Sequence, residues 1–247
     1  MKTRGVLYIA YGDLFVKEAL YSAESVKAQC PDLDITMFSD RMVDSPYIDD
    51  CKIISVSHLR SKIDYMDQSP YDLTIFLDTD TVINHNIEDM FEILETFDLV
   101  AAHDLARKRK KYSATIPEYG RIPYAFSEVN TGVLAYRKSE HTNRLFKRWQ
   151  EYFYKYFHTC PWDQPSFRIS SWEGCKEGLQ MYIFPVEYNI RSKANREKQR
   201  KFHHEFGEEH LKPRIYHMHA DSINQGKYDV DSLQQIFDFC KENFMEY

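Results

Sequence analysis

The chain has 247 residues, of which 43% are hydrophobic and 15% aromatic, enough to bury one large α/β core or two small ones. Its net charge of −6 argues against a general nucleic-acid binder, because holding a phosphate backbone needs a basic face. Cys30, Cys51, Cys160, Cys175 and Cys240 are odd in number with no CxxC spacing, which argues against a disulfide framework or structural zinc and points to a reducing, cytoplasmic compartment.

Residues 5–10 (GVLYIA) are an apolar run and read as a first strand, and Tyr11-Gly12-Asp13 turns the chain. Nothing before that strand is a long apolar leader, and nothing after it is apolar over the length of a membrane span, so a soluble protein with no transmembrane segment is expected. Residues 14–29 carry Leu14, Phe15, Ala19, Leu20, Ala23 and Val26 at helical spacing, and Cys30-Pro31 ends the helix. Strands follow at 33–38, closing in Ser39-Asp40, and at 51–56. Residues 58–67 read as a helix and 69–72 (SPYD) as a turn.

Residues 73–82 read LTIFLDTDTV. Thr74 to Leu77 form a buried strand that stops abruptly in Asp78-Thr79-Asp80. Two carboxylates one residue apart at a strand's C-terminal end cannot both be buried without a counter-charge. That end is also where open α/β sheets place ligands. A hard divalent cation bridging to phosphate oxygens would supply the charge, so the pattern points to a metal–diphosphate site; the plainer alternative is a polar strand end with Asp caps. The β-α-β-β-α-β order up to here predicts a largely parallel, three-layer sheet.

Beyond the motif, residues 87–96 read as a short helix capped by Asn84 or Asn86, and 98–102 as a strand ending in His103-Asp104. Residues 105–124 hold RKRKK, two prolines and a glycine, the composition of an exposed, mobile loop. Residues 129–136 (VNTGVLAY) read as a strand. Residues 143–157 read as a helix whose Leu145, Trp149, Phe153, Tyr156 and Phe157 face the core. Residues 161–165 (PWDQP) break the pattern, 167–172 are helical, and 181–184 a short strand. Residues 192–210 are charged, 214–219 (RIYHMH) are a last strand, and 230–244 an amphipathic helix. No repeat or linker divides the chain, so 1–247 reads as a single domain.

The order of these motifs resembles the GT-A glycosyltransferases, especially the glycogenin-like and bacterial lipopolysaccharide galactosyl- and glucosyltransferases. The resemblance runs from about Val6 to Asp221 and is carried by LDTDT, VNTG, the WDQ segment and a late strand with histidine. It implies an α/β, Rossmann-like GT-A fold: a three-layer α/β/α sandwich with a mostly parallel central sheet. It also implies a nucleotide-diphosphate-sugar donor, UDP-hexose first and a GDP-sugar as the alternative, with Mn²⁺ or Mg²⁺ as cofactor. The acceptor would be a glycan or glycolipid, and transfer would proceed with retention.

Residue by residue, the resemblance implies that Asp78, Thr79 and Asp80 form the DxD motif that grips metal and donor. A third ligand comes from the late strand. Ile215-Tyr216-His217 fits the family's Ile-x-His-x-x-Gly pattern with Ala220 replacing the glycine, and His219 shares its strand face, so period alone does not separate the two. Lys227 is the basic residue left to reach the diphosphate, the usual Lys-Pro-Trp being absent. Ala10, Tyr11 and Asp13 lie where relatives hold the nucleoside. Asp40 and Lys62 are further candidates there, with Arg60 a rival to Lys62. Asn130-Thr131-Gly132 lines the sugar pocket, and Asp104, Asp163 and Gln164 bind the transferred sugar. In retaining relatives the glutamine matching Gln164 lies beneath the anomeric carbon; in an inverting enzyme Asp163 would be the base.

Two rival readings exist. Asp78-Thr79-Asp80-Thr81-Val82 also fits the nucleophile motif of haloacid-dehalogenase-type phosphatases, but those carry it on the first strand and need a later acidic Gly-Asp, and the Gly-Asp pair here is Gly12-Asp13. A non-catalytic glycan-binding relative is the third class. The basic run 107–111 offers a contact for an anionic membrane surface or an acidic glycan acceptor, and it has equally the composition of a solvated loop.

Overall fold

The computed structural model describes residues 2–55, 58–104, 108–191, 201, 205 and 213–217. In chain order they form β1 (Arg4–Ala10), α1 (Gly12–Gln29), β2 (Asp34–Ser39), β3 (Asp50–Ile53), α2 (Lys62–Tyr65), β4 (Leu73–Leu77), β5 (Thr81–Ile83) and α3 (Asp89–Ile93). There follow β6 (Leu99–His103), α4 (Lys110–Thr115), α5 (Pro117–Arg121), β7 (Val129–Arg137), α6 (Glu140–Tyr156), α7 (Asp163–Lys176), β8 (Met181–Ile183) and β9 (Ile215–His217). The fold is α/β, a mostly parallel central sheet flanked by helices, as the order of elements in the sequence predicts. The chain divides into two compact units interleaved in sequence. The first is Val6–Ser55, Leu77–Asp89 and Pro185–Tyr247, the second Met1–Gly5, Val56–Phe76 and Met90–Phe184.

In the first unit the strand order is β3-β2-β1, and β5 and β9 make a separate pair. β2 and β3 run parallel, with Thr36 opposite Asp50 and Ser39 opposite Ile53. Val6 to Ala10 are all buried, as in a strand covered on both faces. α1 starts at Gly12, two residues earlier than the apolar spacing shows. Gly12 has φ +70° with open space around a would-be Cβ, so backbone conformation rather than room calls for glycine there. α1 buries Ala19, Ala23 and Val26 together with Glu18, Ser22 and Ser25.

In the second unit the order is β4-β7-β6-β8. β6 runs parallel to β8 and antiparallel to β7. The β6–β7 ladder is irregular: Ala101 faces Leu134 but Ala102 faces Asn130, so Thr131 to Val133 bulge out of register, a device that re-aims side chains. α6 opens on a capping box, the Ser139 hydroxyl accepting from the Thr142 amide at 3.2 Å and Thr142 Oγ1 from the Ser139 amide at 3.0 Å. Its Leu145, Phe146, Trp149 and Phe153 are buried. The Trp149 indole donates to the Asp163 carbonyl at 3.0 Å and its ring meets Phe167 at 4.8 Å, which fixes where α7 begins.

Several elements differ from the sequence expectation. The stretch 105–124 is no open loop: of its described residues, Tyr112 and Tyr119 on two short helices and Ile116 and Ile122 just past their ends are buried with Cys160 and Ile169. Those four residues recur at helical intervals that the preceding basic run 107–111 overshadows, and Pro117 sits at the start of α5, where its missing N–H costs nothing. The break at 161–165 is instead the start of α7; Pro165 falls in its first turn, where proline is tolerated. The helix at 58–67 shrinks to α2 and a 3-10 turn, Met66–Gln68. β5 is a strand that the run LTIFLDTDTV does not separate from β4. The terminal helix at 230–244, His219 and Lys227 lie outside the described residues. No helix among the described residues is long and apolar enough to cross a membrane, and Cys30, Cys51, Cys160 and Cys175 are free thiols.

Candidate functional site

The first unit brings Asp78, Asp80 and His217 together. One ligand atom from each lies within 4.8 Å of the others. The cause is a register: β5 pairs antiparallel with β9, Thr81 opposite His217, so the histidine stands across from the residue that follows Asp80. Its Nε2 is 3.1 Å from Asp80 Oδ1 and 3.9 Å from Asp78 Oδ2. Its Nδ1 is 3.0 Å from Asn189 Oδ1. An amide oxygen only accepts, so Nδ1 is a donor to Asn189, and Nε2, which faces the carboxylates, is the nitrogen that would ligate a bound cation. Metal-binding histidines are oriented in this way. Asn189 is held in place because Ile190 bridges to β9, its amide donating to Ile215 and its carbonyl accepting from His217. Two carboxylate oxygens and an imidazole nitrogen are a donor set that fits a divalent ion of the Mg²⁺–Mn²⁺ kind.

The loop that carries the two aspartates is held from below by a line of hydroxyls. Thr81 Oγ1 donates to the Asp78 carbonyl at 2.9 Å. That spends its hydrogen, so Ser22 donates to Thr81 at 2.8 Å and Tyr8 donates to Ser22 at 2.7 Å. Burial pushes the Tyr8 phenol well above its ordinary range, against the two hydroxyl contacts, and it stays a donor. Thr79 Oγ1 donates to Glu18 Oε2 at 2.6 Å, and Ser25 Oγ accepts from the Ile83 amide at 2.9 Å. These contacts explain the buried polar residues of α1.

Elsewhere in this unit the residues expected at the nucleoside gather at strand ends. Both Asp40 oxygens lie 3.3 Å from the Gly12 amide. Burial pushes the Asp40 carboxyl up slightly, but the Gly12 amide, Arg41 and Ser39 outweigh it and hold it below its usual value. Arg41 donates to Asp13 at 2.7 Å. The Tyr11 ring packs on Phe15 at 5.4 Å, and Ala10 is fully buried as the last residue of β1.

The second unit holds two further carboxylates, each with a cation beside it. Asp163, the first residue of α7, is 5% exposed. Its Oδ2 is 3.2 Å from Lys62 Nζ and accepts from Thr131 Oγ1 at 2.5 Å, while Arg60 Nε stands 3.7 Å from Oδ1. Burial raises the carboxyl; Lys62, Arg60 and Thr131 together overcome that and hold it far below the carboxylate range. Lys62 Nζ also donates to the Thr131 carbonyl at 3.2 Å. Asp104 is fully buried. It accepts from Gln164 Nε2 at 2.8 Å and has Arg109 Nη2 at 3.6 Å. Gln164 Nε2 donates in addition to the Val129 carbonyl at 3.1 Å. Two acceptors fix which end of the amide is nitrogen, so Gln164 Oε1 points the other way. Asn130 Oδ1 accepts from the Gly132 amide at 3.0 Å, closing the bulge of β7 on itself.

The sequence reading missed Asn189, Glu18, Arg109 and the Arg168–Glu128 pair. Arg168 donates to Glu128 at 2.9 Å and to the Phe126 and Pro123 carbonyls, and the Glu128 carbonyl accepts from the Asp104 amide at 3.2 Å. Burial pushes the Glu128 carboxyl up in spite of Tyr119 and Arg168. No local motif marks any of them; Asn189, Glu18 and the Arg168–Glu128 pair meet partners distant in sequence, and Arg109 meets Asp104 from close by in the chain.

The nucleotide-diphospho-sugar transferase family matches residues 73–230, more than half of the chain. No curated protein matches the chain in sequence. Among solved structures, the galactosyltransferase LgtC in complex with donor and acceptor sugar analogues superposes with a TM-score of 0.59 at 13% identity over 95% of each chain. The glycosyltransferase GlyE of Streptococcus pneumoniae TIGR4 gives 0.58 at 15% identity over 98% of this chain and 64% of its own. Those likenesses establish the GT-A fold, and the family match, which spans Asp78 through Lys227, establishes the lineage: the chain is a glycosyltransferase belonging to the nucleotide-diphospho-sugar transferase family.

Proposed function

We propose that residues 1–247 work as one metal-dependent transferase domain that moves a hexose from a nucleoside diphosphate to a glycan or glycolipid acceptor with retention. UDP-hexose is the first donor, and a GDP-sugar the alternative. The observation that carries this reading is the Asp78–Asp80–His217 cluster, with ligand atoms within 4.8 Å of one another. These three side chains would hold Mn²⁺ or Mg²⁺. When bound, that ion supplies the positive charge that stabilises a leaving diphosphate. Asn189 orients His217, and Thr79 and Thr81 fix the loop. Tyr11, Asp13 and Asp40 take the nucleoside, Asp40 being already aligned on the Gly12 amide.

In the second unit, Asp104 and Asp163 accept hydroxyls of the transferred sugar, and Gln164 presents Oε1 to its anomeric carbon. The support for retention is electrostatic. Asp163 is held far below the carboxylate range, which makes it a lasting anion and a poor base, so it does not suit the role an inverting enzyme would give it. Lys62 serves Asp163 as counter-charge, its Nζ lying 3.2 Å from Oδ2. The absence of a membrane-crossing helix among the described residues fits an acceptor met at a cytosolic membrane face or in solution.

Calorimetry of UDP, GDP and their hexoses, first with Mn²⁺ and then with EDTA, tests the reading. Metal-dependent binding of one nucleotide is expected and names the base. Binding of none of them under either condition would overturn it.

A further inference from the structure

Trp162 precedes Asp163 and leaves 46% of its surface exposed. Two cations stand at its ring: the Arg60 guanidinium 5.3 Å from the centroid and Lys111 Nζ at 5.5 Å. Arg60 also reaches Asp163, so a single side chain joins the indole to the sugar-site carboxylate. The basic run divides by role. Lys108 donates inward to the Gly120 and Ile122 carbonyls at 2.8 and 2.6 Å, and Arg109 faces Asp104. Lys111 turns to Trp162 and Tyr112. The contacts around Asp163 and Trp162 thus bring together Lys62, Arg60 and Lys111 with the Asp163 carboxylate, in a chain whose net charge is −6.

An exposed indole beside cations offers two things at once. The exposed remainder of the indole can meet the C–H face of a pyranose, and Arg60 and Lys111, which lie over the ring, can pair with an acid group. A neutral sugar uses only the first, and a free phosphate ion only the second. We propose that Trp162, Arg60 and Lys111 form an acceptor subsite for a saccharide that carries a carboxylate or a phosphate. This rests on the transferase reading, because Trp162 is two residues from Gln164, which that reading sets against the sugar being transferred.

The test uses the full chain labelled with 5-fluorotryptophan, the Trp162 resonance being assigned by its loss in Trp162→Phe. The probes are methyl β-glucoside, methyl β-glucuronide and methyl β-glucoside 6-phosphate, which differ in the acid group. Both acidic probes are expected to shift the Trp162 signal and to bind about fivefold tighter than the neutral one, the tighter of the two naming the acid. Lys111→Glu should erase the preference; Lys111 is exposed on α4, and an unchanged melting temperature shows that the fold is intact. Equal affinities, a preference that survives Lys111→Glu, or no shift at Trp162 would overturn the proposal. UDP binding with Mn²⁺ is measured in the same sample, so failure of the transferase reading registers separately.

Discussion

In the second unit the cationic nitrogens of Lys62 and Arg60 lie 3.2 and 3.7 Å from Asp163; in the first, His217 Nε2 lies 3.1 Å from Asp80. Lysine and arginine keep their charge across the working pH range, so Asp163 is locked as an anion in a fixed geometry. Imidazole offers a lone pair, and with two carboxylates it makes a set that a divalent ion can enter without displacing a side chain. A metal would add little around Asp163 and a great deal around Asp80. The largest effect should follow from removing the second carboxylate of that set. Asp80→Ala is expected to abolish metal-dependent nucleotide binding, a loss of several kcal/mol, as read by calorimetry with and without EDTA. If that variant turned over normally, the contrast between the units would collapse.

The complementary change in the second unit should damage stability. Asp163→Asn leaves Lys62 and Arg60 close to a neutral amide, and stranding a buried charge costs about 3 kcal/mol or more; urea unfolding measures it, and Lys62→Met in the same chain should recover part of the loss. The pH dependence has a definite sign. The folded-state value of Asp163 is depressed, so its contribution is fully present above the unfolded carboxyl value of about 3.9 and is lost as pH falls below that towards the folded value. The acid limb of the stability curve should therefore be shallower in Asp163→Asn than in the wild type.

A smaller effect is expected from the side chain behind the histidine. Asn189→Ala removes the acceptor at His217 Nδ1 without touching any ligand atom. Metal affinity should fall about 10- to 100-fold, with nucleotide binding following it at limiting Mn²⁺. An unchanged affinity would mean that the β9 register alone orients the ring.

These three residues also mark how far the sequence could be read. Asp80 was visible because a run of apolar β-formers ends in paired carboxylates, a purely local pattern. Asp163 was visible as a member of the WDQ segment, but its partners were not, since nothing local says that a lysine on α2 turns inward to it. Asn189 was invisible: it matters because Ile190 bridges to β9, a pairing across more than twenty residues. The same limit explains the two misread segments. In 105–124 four buried residues keep helical spacing while six cations dominate the composition, and at 161–165 two prolines disguise a helix start that the Trp149 indole fixes from α6. Between His217 and His219 the structure describes only the former, which meets the cluster.

The smallest expected effect tests whether burial is what gives the Lys62–Asp163 pair its weight. Lys155 on α6 lies 2.6 Å from Glu118 on α5, and Tyr156 also donates to that carboxylate. Burial raises the Glu118 carboxyl slightly, while Lys155 and Tyr156 bring it down to about 2. A carboxyl held so low suggests a pair as strong as Lys62–Asp163. Yet Lys155 is 54% exposed, and water and salt screen a charge so placed. Lys155→Ala should therefore cost less than about 1 kcal/mol near neutral pH. Because the folded-state value is depressed, even this contribution is complete above the unfolded glutamate value of about 4.3 and fades as pH drops towards 2. Urea unfolding of the variant beside Asp163→Asn makes the comparison directly. Losses of equal size would mean that distance to the cation, rather than exclusion of water, sets the strength of both pairs.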